Sequence, residues 1–82
     1  MSIKEKTEEL ISELMVGIAA EKTWKVENAI ESLEEDEDYS EEERKQAIFE
    51  ISTFLTNALA EGKITKGKED AERIEKILRG KL

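Results

Sequence analysis

The sequence predicts an all-α fold, a small four-helix bundle, from three features of the chain. Apolar residues recur at helical spacing in its ordered segments, whereas no segment alternates apolar and polar residues as a strand does. Ser-x-x-Glu capping boxes at Ser2 and Ser40 mark two helix starts. The 82 residues include no Pro, the residue that most often interrupts a helix. We expect residues 1–82 to form one domain, near the lower size limit for independent folding.

The first helix is predicted to begin after Ser2, whose capping partner is Glu5. Its apolar positions form one helical stripe: Ile3, Leu10, Ile11, Leu14, Met15, Ile18 and Ala19. From Leu14 to Ala20 the residues are apolar on every side, which predicts deep burial of this end. Gly17 lies inside it, at a cost of roughly 1 kcal/mol relative to Ala. We therefore expect Gly17 to allow another backbone to approach closely.

A second helical segment covers residues 24–33, and its apolar stripe is rotated by roughly a quarter turn from the first stripe at 100° per residue. This rotation favours a break near Glu21, with Thr23 as the N-cap of a new helix. No Gly or Pro enforces the break, so one continuous helix over residues 2–33, and hence three helices in total, remains an alternative. Trp24 lies on the second stripe and is expected in the core rather than at a binding surface.

The third helix is predicted from Ser40 to about Glu61, with Gly62 as a left-handed stop and Ile64 folding back onto its end. Thr65 is expected to cap a fourth helix that ends at Gly80. The inward positions of this helix are Ala71, Ile74, Ile77 and Leu78.

The net charge of −8 is distributed unevenly. Residues 34–43 contain eight acidic residues and no basic one, whereas residues 62–82 carry a net charge of +3. The Lys and Glu enrichment, with few Asn and Gln, is typical of hyperthermophile proteins and equally of idealised helical designs. Cys and His are both absent, which excludes disulfides, thiolate metal sites and imidazole chemistry.

The sequence gives little support for a catalytic function. A hydroxyl nucleophile needs a nearby base, usually His, and the chain contains no His. We expect no enzyme activity and no cofactor. Asp36, Asp38 and Ser40 match the spacing of the first three ligands of an EF-hand loop, but Glu41 stands where Gly is required and Ala47 where the bidentate Glu is required. The sequence therefore predicts no dedicated metal site.

Two further partner classes conflict with the sequence. No apolar run approaches the ~20 residues that a membrane span requires, so we expect a cytoplasmic protein without membrane contact. The basic residues of segment 62–82 alternate with acidic ones, and their net field is weak. Affinity for nucleic acid comes mainly from Lys and Arg that neutralise phosphates, so direct nucleic-acid binding is not expected.

The segment 46–60 contains a single charged residue, Glu50, in a chain that is 41% charged. Its side away from the predicted core stripe is neutral, which favours a contact surface. The candidate self-interface residues are Phe49, Ser52, Thr53, Thr56 and Ala60. We expect a homodimer with two-fold symmetry, the commonest closed assembly. The leading prediction is a non-catalytic, self-associating regulator, inhibitor or adaptor that binds another protein.

The alternative function uses the dense carboxylates of residues 34–43. A small acidic protein can occupy the basic cleft in which an enzyme or repressor binds nucleic acid, as phage inhibitors, immunity proteins and antitoxins do as classes. The carboxylates would accelerate association with a basic partner. The candidate patch consists of Glu34, Glu35, Asp36, Glu37, Asp38, Glu41 and Glu42.

Overall fold

The computed structural model describes all residues from 1 to 82 and contains four α-helices and no strand. The helices are α1 (Ile3–Ala19), α2 (Thr23–Glu34), α3 (Glu41–Ala60) and α4 (Lys68–Gly80). The predicted all-α class is confirmed. No helix is long and apolar enough to cross a membrane.

The chain runs up and down along a bundle of 34 × 21 × 20 Å. α1 and α3 lie in contact and point the same way. Tyr39, just before α3, donates to the carbonyl of Met1, just before α1, and Gly67, beyond the end of α3, lies against Ile18 at the end of α1. α2 and α4 also point the same way. Their C-terminal ends are joined by Lys81, whose Nζ lies 2.7 Å from Oε1 of Glu34. α1 and α3 each contact all three other helices.

The break between α1 and α2 settles the open alternative in favour of two helices. Glu21 adopts a left-handed conformation with φ of 60°. The amide of Lys22 donates to the carbonyl of Gly17 at 2.8 Å, and the amide of Glu21 to that of Ile18 at 3.1 Å. These are the two bonds of a Schellman motif. The predicted cap is displaced by one residue, since Thr23 is the first residue of α2 and Lys22 occupies the N-cap without a side-chain bond.

The core consists of fifteen buried apolar residues contributed by all four helices and Ile64. The predicted burial of the whole α1 end is wrong in part, because Val16 remains 68% exposed and Ala20 is also exposed. Gly17 does permit a close approach. A Cβ built on it would lie 2.4 Å from Cγ2 of Val26, so α2 packs directly against this position.

The connection between α3 and α4 follows the prediction at its start and departs from it at its end. Gly62 has φ of 71°, and the amide of Lys63 donates to the carbonyl of Ala58 at 3.0 Å, which completes a second Schellman motif. α4 then begins after Gly67, not after Thr65. Gly67 is left-handed and lies against α1, where a Cβ would approach the Ile18 carbonyl oxygen to 2.7 Å.

Candidate interaction surfaces

The exposed face of α3 is almost free of charge. From Gln46 onward its exposed residues are Gln46, Phe49, Glu50, Thr53, Phe54, Asn57 and Ala60. Phe49 is 51% exposed, which is unusual for a large aromatic side chain on a highly charged protein. The only charged member, Glu50, accepts a hydrogen bond of 3.3 Å from Nε2 of Gln46. This neutral α3 face contains three of the five residues predicted as a self-interface.

The other two predicted interface residues are turned towards α4. Ser52 is only 4% exposed and lies inside the bundle, so its prediction as a surface residue is wrong. Thr56 is half-buried, and its hydroxyl donates to Oε2 of Glu75 at 2.6 Å. Ser52 precedes Thr56 by one helical turn and therefore faces the same side, which α4 covers. The small Ser side chain fits beneath α4, and Thr56 borders the neutral α3 face.

A groove of about 620 Å³ runs between α1 and α3, along one border of this face. Its apolar lining comes from Ile3, Ile11 and Ala47, and Gln46 and Glu50 join it to the neutral α3 face. Ile3 and Ile11 are half-buried and pack against the core. The groove is also lined by the charged residues Lys4, Glu8, Glu42, Glu43 and Glu50, so it adds a mixed apolar and charged surface beside the neutral α3 face.

The acidic patch occupies the end of the bundle at which α2 ends and α3 begins. Its loop is held by backbone and side-chain hydrogen bonds. Oδ1 of Asp36 accepts from the amide of Asp38 at 3.0 Å. Nη1 of Arg44 donates to the carbonyls of Glu34 at 3.1 Å and Asp36 at 3.2 Å. The Tyr39 hydroxyl donates to the Met1 carbonyl at 2.9 Å, which ties the loop to the start of α1.

The seven predicted patch residues differ in how much charge they present. Glu34 forms an ion pair with Lys81, and Glu41 forms an exposed one with Lys45 at 3.4 Å. Asp36 is half-buried within its turn. The remaining four carboxylates are exposed and have no cationic side chain within ion-pair distance: Glu35, Glu37, Asp38 and Glu42.

The phenol of Tyr39 lies within this patch, and its pKa is raised there. Desolvation of the phenol raises the pKa of Tyr39, and the negative charges of Asp36 and Asp38 raise it further. The patch is therefore a region of concentrated negative potential. No cluster of three or more carboxylates has the geometry to hold a metal ion.

A third surface surrounds Trp24, which is 59% exposed, so its predicted place in the core is wrong. Trp24 lies two residues from the buried Val26, or 200° around the helix, and the two side chains cannot share one core. Arg73 of α4 binds Thr23 and Glu27, which fixes that side of α2 against α4 and leaves Trp24 in solvent. The i, i+2 spacing of Trp24 and Val26 could have indicated this from the sequence.

Two lysines and a shallow groove adjoin Trp24. Nζ of Lys25 lies 5.6 Å from the centre of the indole ring, within the range of a cation–π contact. Lys22 and Lys25 also line a groove of about 550 Å³ whose apolar wall is Val16 and Ala20. This end of the bundle, which also carries the exposed residues Glu13 and Glu21, is opposite the acidic patch.

No protein-family model, curated protein sequence or solved structure matches this chain. Its own geometry defines a small all-α bundle with three distinct exposed surfaces: the neutral α3 face, the acidic patch and the surface around Trp24.

Proposed function

We propose that this protein is a non-catalytic interaction module that self-associates through the neutral α3 face and regulates, inhibits or adapts another protein. The observation that supports it is Phe49, half-exposed near the midpoint of α3, with the small residues Ser52 and Thr53 one turn after it and the charged Lys45 one turn before it. Aromatic residues at the centre of a patch supply most of the binding energy in many interfaces. On this chain an exposed aromatic side chain is unusual, because Lys and Glu make up most of the surface.

The dimensions suit a dimer. A standard interface takes about 800 Å² from each partner, and the protein exposes 5269 Å² in total. α3 spans 20 residues, about 30 Å of helix. The adjoining groove with Ile3 and Ile11 widens the contact beyond one helix. Burying this area would also add stability to a chain whose own core is small.

The test is the substitution Phe49→Lys. We expect it to remove a central apolar contact worth about 2 kcal/mol or more, which raises the dimer dissociation constant roughly thirtyfold. Helicity should be unchanged, because Phe49 contributes little to the core. The measurement is molar mass by light scattering across a dilution series, with circular dichroism on the same samples.

The matched control is Val16→Lys, which places the same charge on another exposed apolar position, on α1. We expect Val16→Lys to dissociate like the wild type. An unchanged dissociation constant for Phe49→Lys would show that the α3 face is not the interface. If both substitutions raised the dimer dissociation constant equally, the effect would come from the added charge alone.

The second candidate function is occupation of a basic, nucleic-acid-binding cleft by the acidic patch. The ordered loop supports it, since carboxylates that are fixed before binding lose less conformational entropy on association. The test is competition with double-stranded DNA for a basic DNA-binding protein. Neutralising the loop as Asp36→Asn, Glu37→Gln and Asp38→Asn should abolish competition, and added salt should do the same. Competition that survives both treatments would exclude this function.

A further inference from the structure

We propose that the two copies pair with their α3 helices antiparallel, related by a two-fold axis that passes beside Thr53. This inference rests on the proposed function, because it concerns the same face of α3. It adds the orientation and the register of the second copy, which the existence of a dimer alone does not define.

Apart from Phe54 at the edge of the face, the exposed neutral residues of α3 are spaced symmetrically about Thr53. Phe49 and Asn57 lie one turn before and after it, and Gln46 and Ala60 lie two turns before and after it. A two-fold axis perpendicular to α3 at Thr53 therefore superimposes the neutral face of one copy on that of the other from end to end. Any other register would place part of one neutral face against charged residues beyond Gln46 or Ala60.

The charges at the two ends of α3 select the antiparallel orientation. α3 begins with Glu41, Glu42 and Glu43, directly after the acidic loop, whereas its C-terminal end is followed by Glu61 and by the basic residues Lys63 and Lys66. Lys63 pairs with Glu61 of the same chain at 2.9 Å. Parallel helices would bring two acidic patches together, and like charges across an interface are repulsive. Antiparallel helices would instead bring the acidic start of α3 in each copy to the C-terminal end of α3 in the other, where Glu61, Lys63 and Lys66 together carry a charge of +1.

The position of Phe49 gives an independent reason for the same orientation. Phe49, Thr56 and Ala60 lie on the same border of the neutral α3 face, the one next to α4. In the antiparallel arrangement Phe49 of one copy meets Thr56 and Ala60 of the other, where short side chains leave room for an aromatic ring. In a parallel arrangement Phe49 would meet Gln46 and the charged Glu50 instead.

Cysteine crosslinking tests the orientation and the register directly, because the chain contains no Cys. A disulfide requires Cα atoms about 4.4–6.8 Å apart. We expect Thr53→Cys to crosslink efficiently with itself under mild oxidation. Gln46→Cys and Ala60→Cys should crosslink in a mixture but not alone, since two Gln46 residues would lie about 21 Å apart along antiparallel helices. Light scattering on the reduced variants reports whether each is still a dimer.

The outcomes separate this inference from the proposed function. Efficient self-crosslinking of both Gln46→Cys and Ala60→Cys would establish parallel helices and overturn the inference, although self-association through α3 would stand. Dimeric variants that crosslink in no combination would overturn both the orientation and the interface. Monomeric mass of the wild type would overturn the proposed function itself.

Discussion

Glu21 holds the least favourable backbone conformation in the chain. It is the only residue other than Gly with a positive φ. The left-handed region costs an L-residue with a Cβ roughly 1–2 kcal/mol, whereas Gly enters it without that penalty. Glu21 occupies the same place in the α1 Schellman motif that Gly62 occupies in the α3 motif. The tight hairpin of α1 and α2 is therefore formed at a local cost.

The substitution Glu21→Gly is expected to stabilise the protein by about 1 kcal/mol, because it removes this cost. Urea unfolding monitored by circular dichroism measures the change. The control is Glu61→Gly at the end of α3, where the native φ is −84° and Gly offers no relief. Loss of stability on Glu21→Gly would mean that the Glu side chain makes a contribution larger than the backbone cost.

Glu5 makes part of the stability depend on pH. Hydrogen bonds from the backbone and side chain of Ser2 lower the pKa of Glu5 below its usual value of 4.5. Stability that comes from the ionised carboxylate is fully present above pH 4.5 and is lost as the pH falls through the lowered pKa. The variant Glu5→Gln can keep a capping box but cannot titrate.

We therefore expect thermal unfolding of the wild type to lose more stability than Glu5→Gln as the pH is lowered from 5 to 3. Parallel melting curves of the two proteins at each pH measure this difference. Identical pH dependence in both proteins would contradict a contribution from Glu5.

Residue positions were predictable where a local pattern decides them and not where a neighbouring helix does. Both capping boxes form as the spacing predicts, with Glu5 and Glu43 as the partners of Ser2 and Ser40. Ser52 and Trp24 lie on borders of their helical stripes. The packing of α4 buries Ser52, and the contacts of Arg73 turn Trp24 outward. Nothing in the local sequence specifies which border α4 covers.

At the scale of the elements, the packing of α1 on α2 depends on one missing side chain. Gly17 lets Val26 enter the surface of α1, and Val26 is itself buried. A β-branched side chain on a helix has one strongly preferred rotamer, so Val26 cannot rotate away from an added methyl group. The two helices would have to separate.

We expect Gly17→Ala to destabilise the protein by about 1 kcal/mol, since overpacking costs roughly 1–3 kcal/mol and the gain in helix propensity returns about 1. A double-mutant cycle with Val26→Ala measures the coupling by urea unfolding. The Val26→Ala substitution should cost less in the Gly17→Ala background than alone. Additive effects would show that the two residues do not limit the approach of the helices.

The helix boundaries show the same division between local and tertiary causes. The end of α3 follows from Gly62 and the apolar Ile64, both readable from the sequence. The start of α4 is delayed to Lys68 because Gly67 lies against the end of α1. Residues 65–67 form the connection that brings Gly67 to this contact. The capping preference of Thr65 alone does not predict the contact.

At the scale of the whole molecule, charge and apolar surface are separated in space. The acidic patch lies at one end of the bundle, the lysines near Trp24 lie at the other, and the neutral α3 face lies between them. The sequence predicted the acidic patch and most of the neutral face, because both are continuous in the chain. It did not predict the Trp24 surface, which depends on how α2 is oriented between α1 and α4.

Self-association through the neutral α3 face is the central claim, and absolute molar mass in solution tests it most directly. Light scattering after size exclusion, at low and at high salt, should give twice the chain mass of 9.4 kDa under both conditions. The dimer should persist in high salt because its central contacts are uncharged and therefore not screened. A mass of one chain at both salt concentrations would contradict the claim.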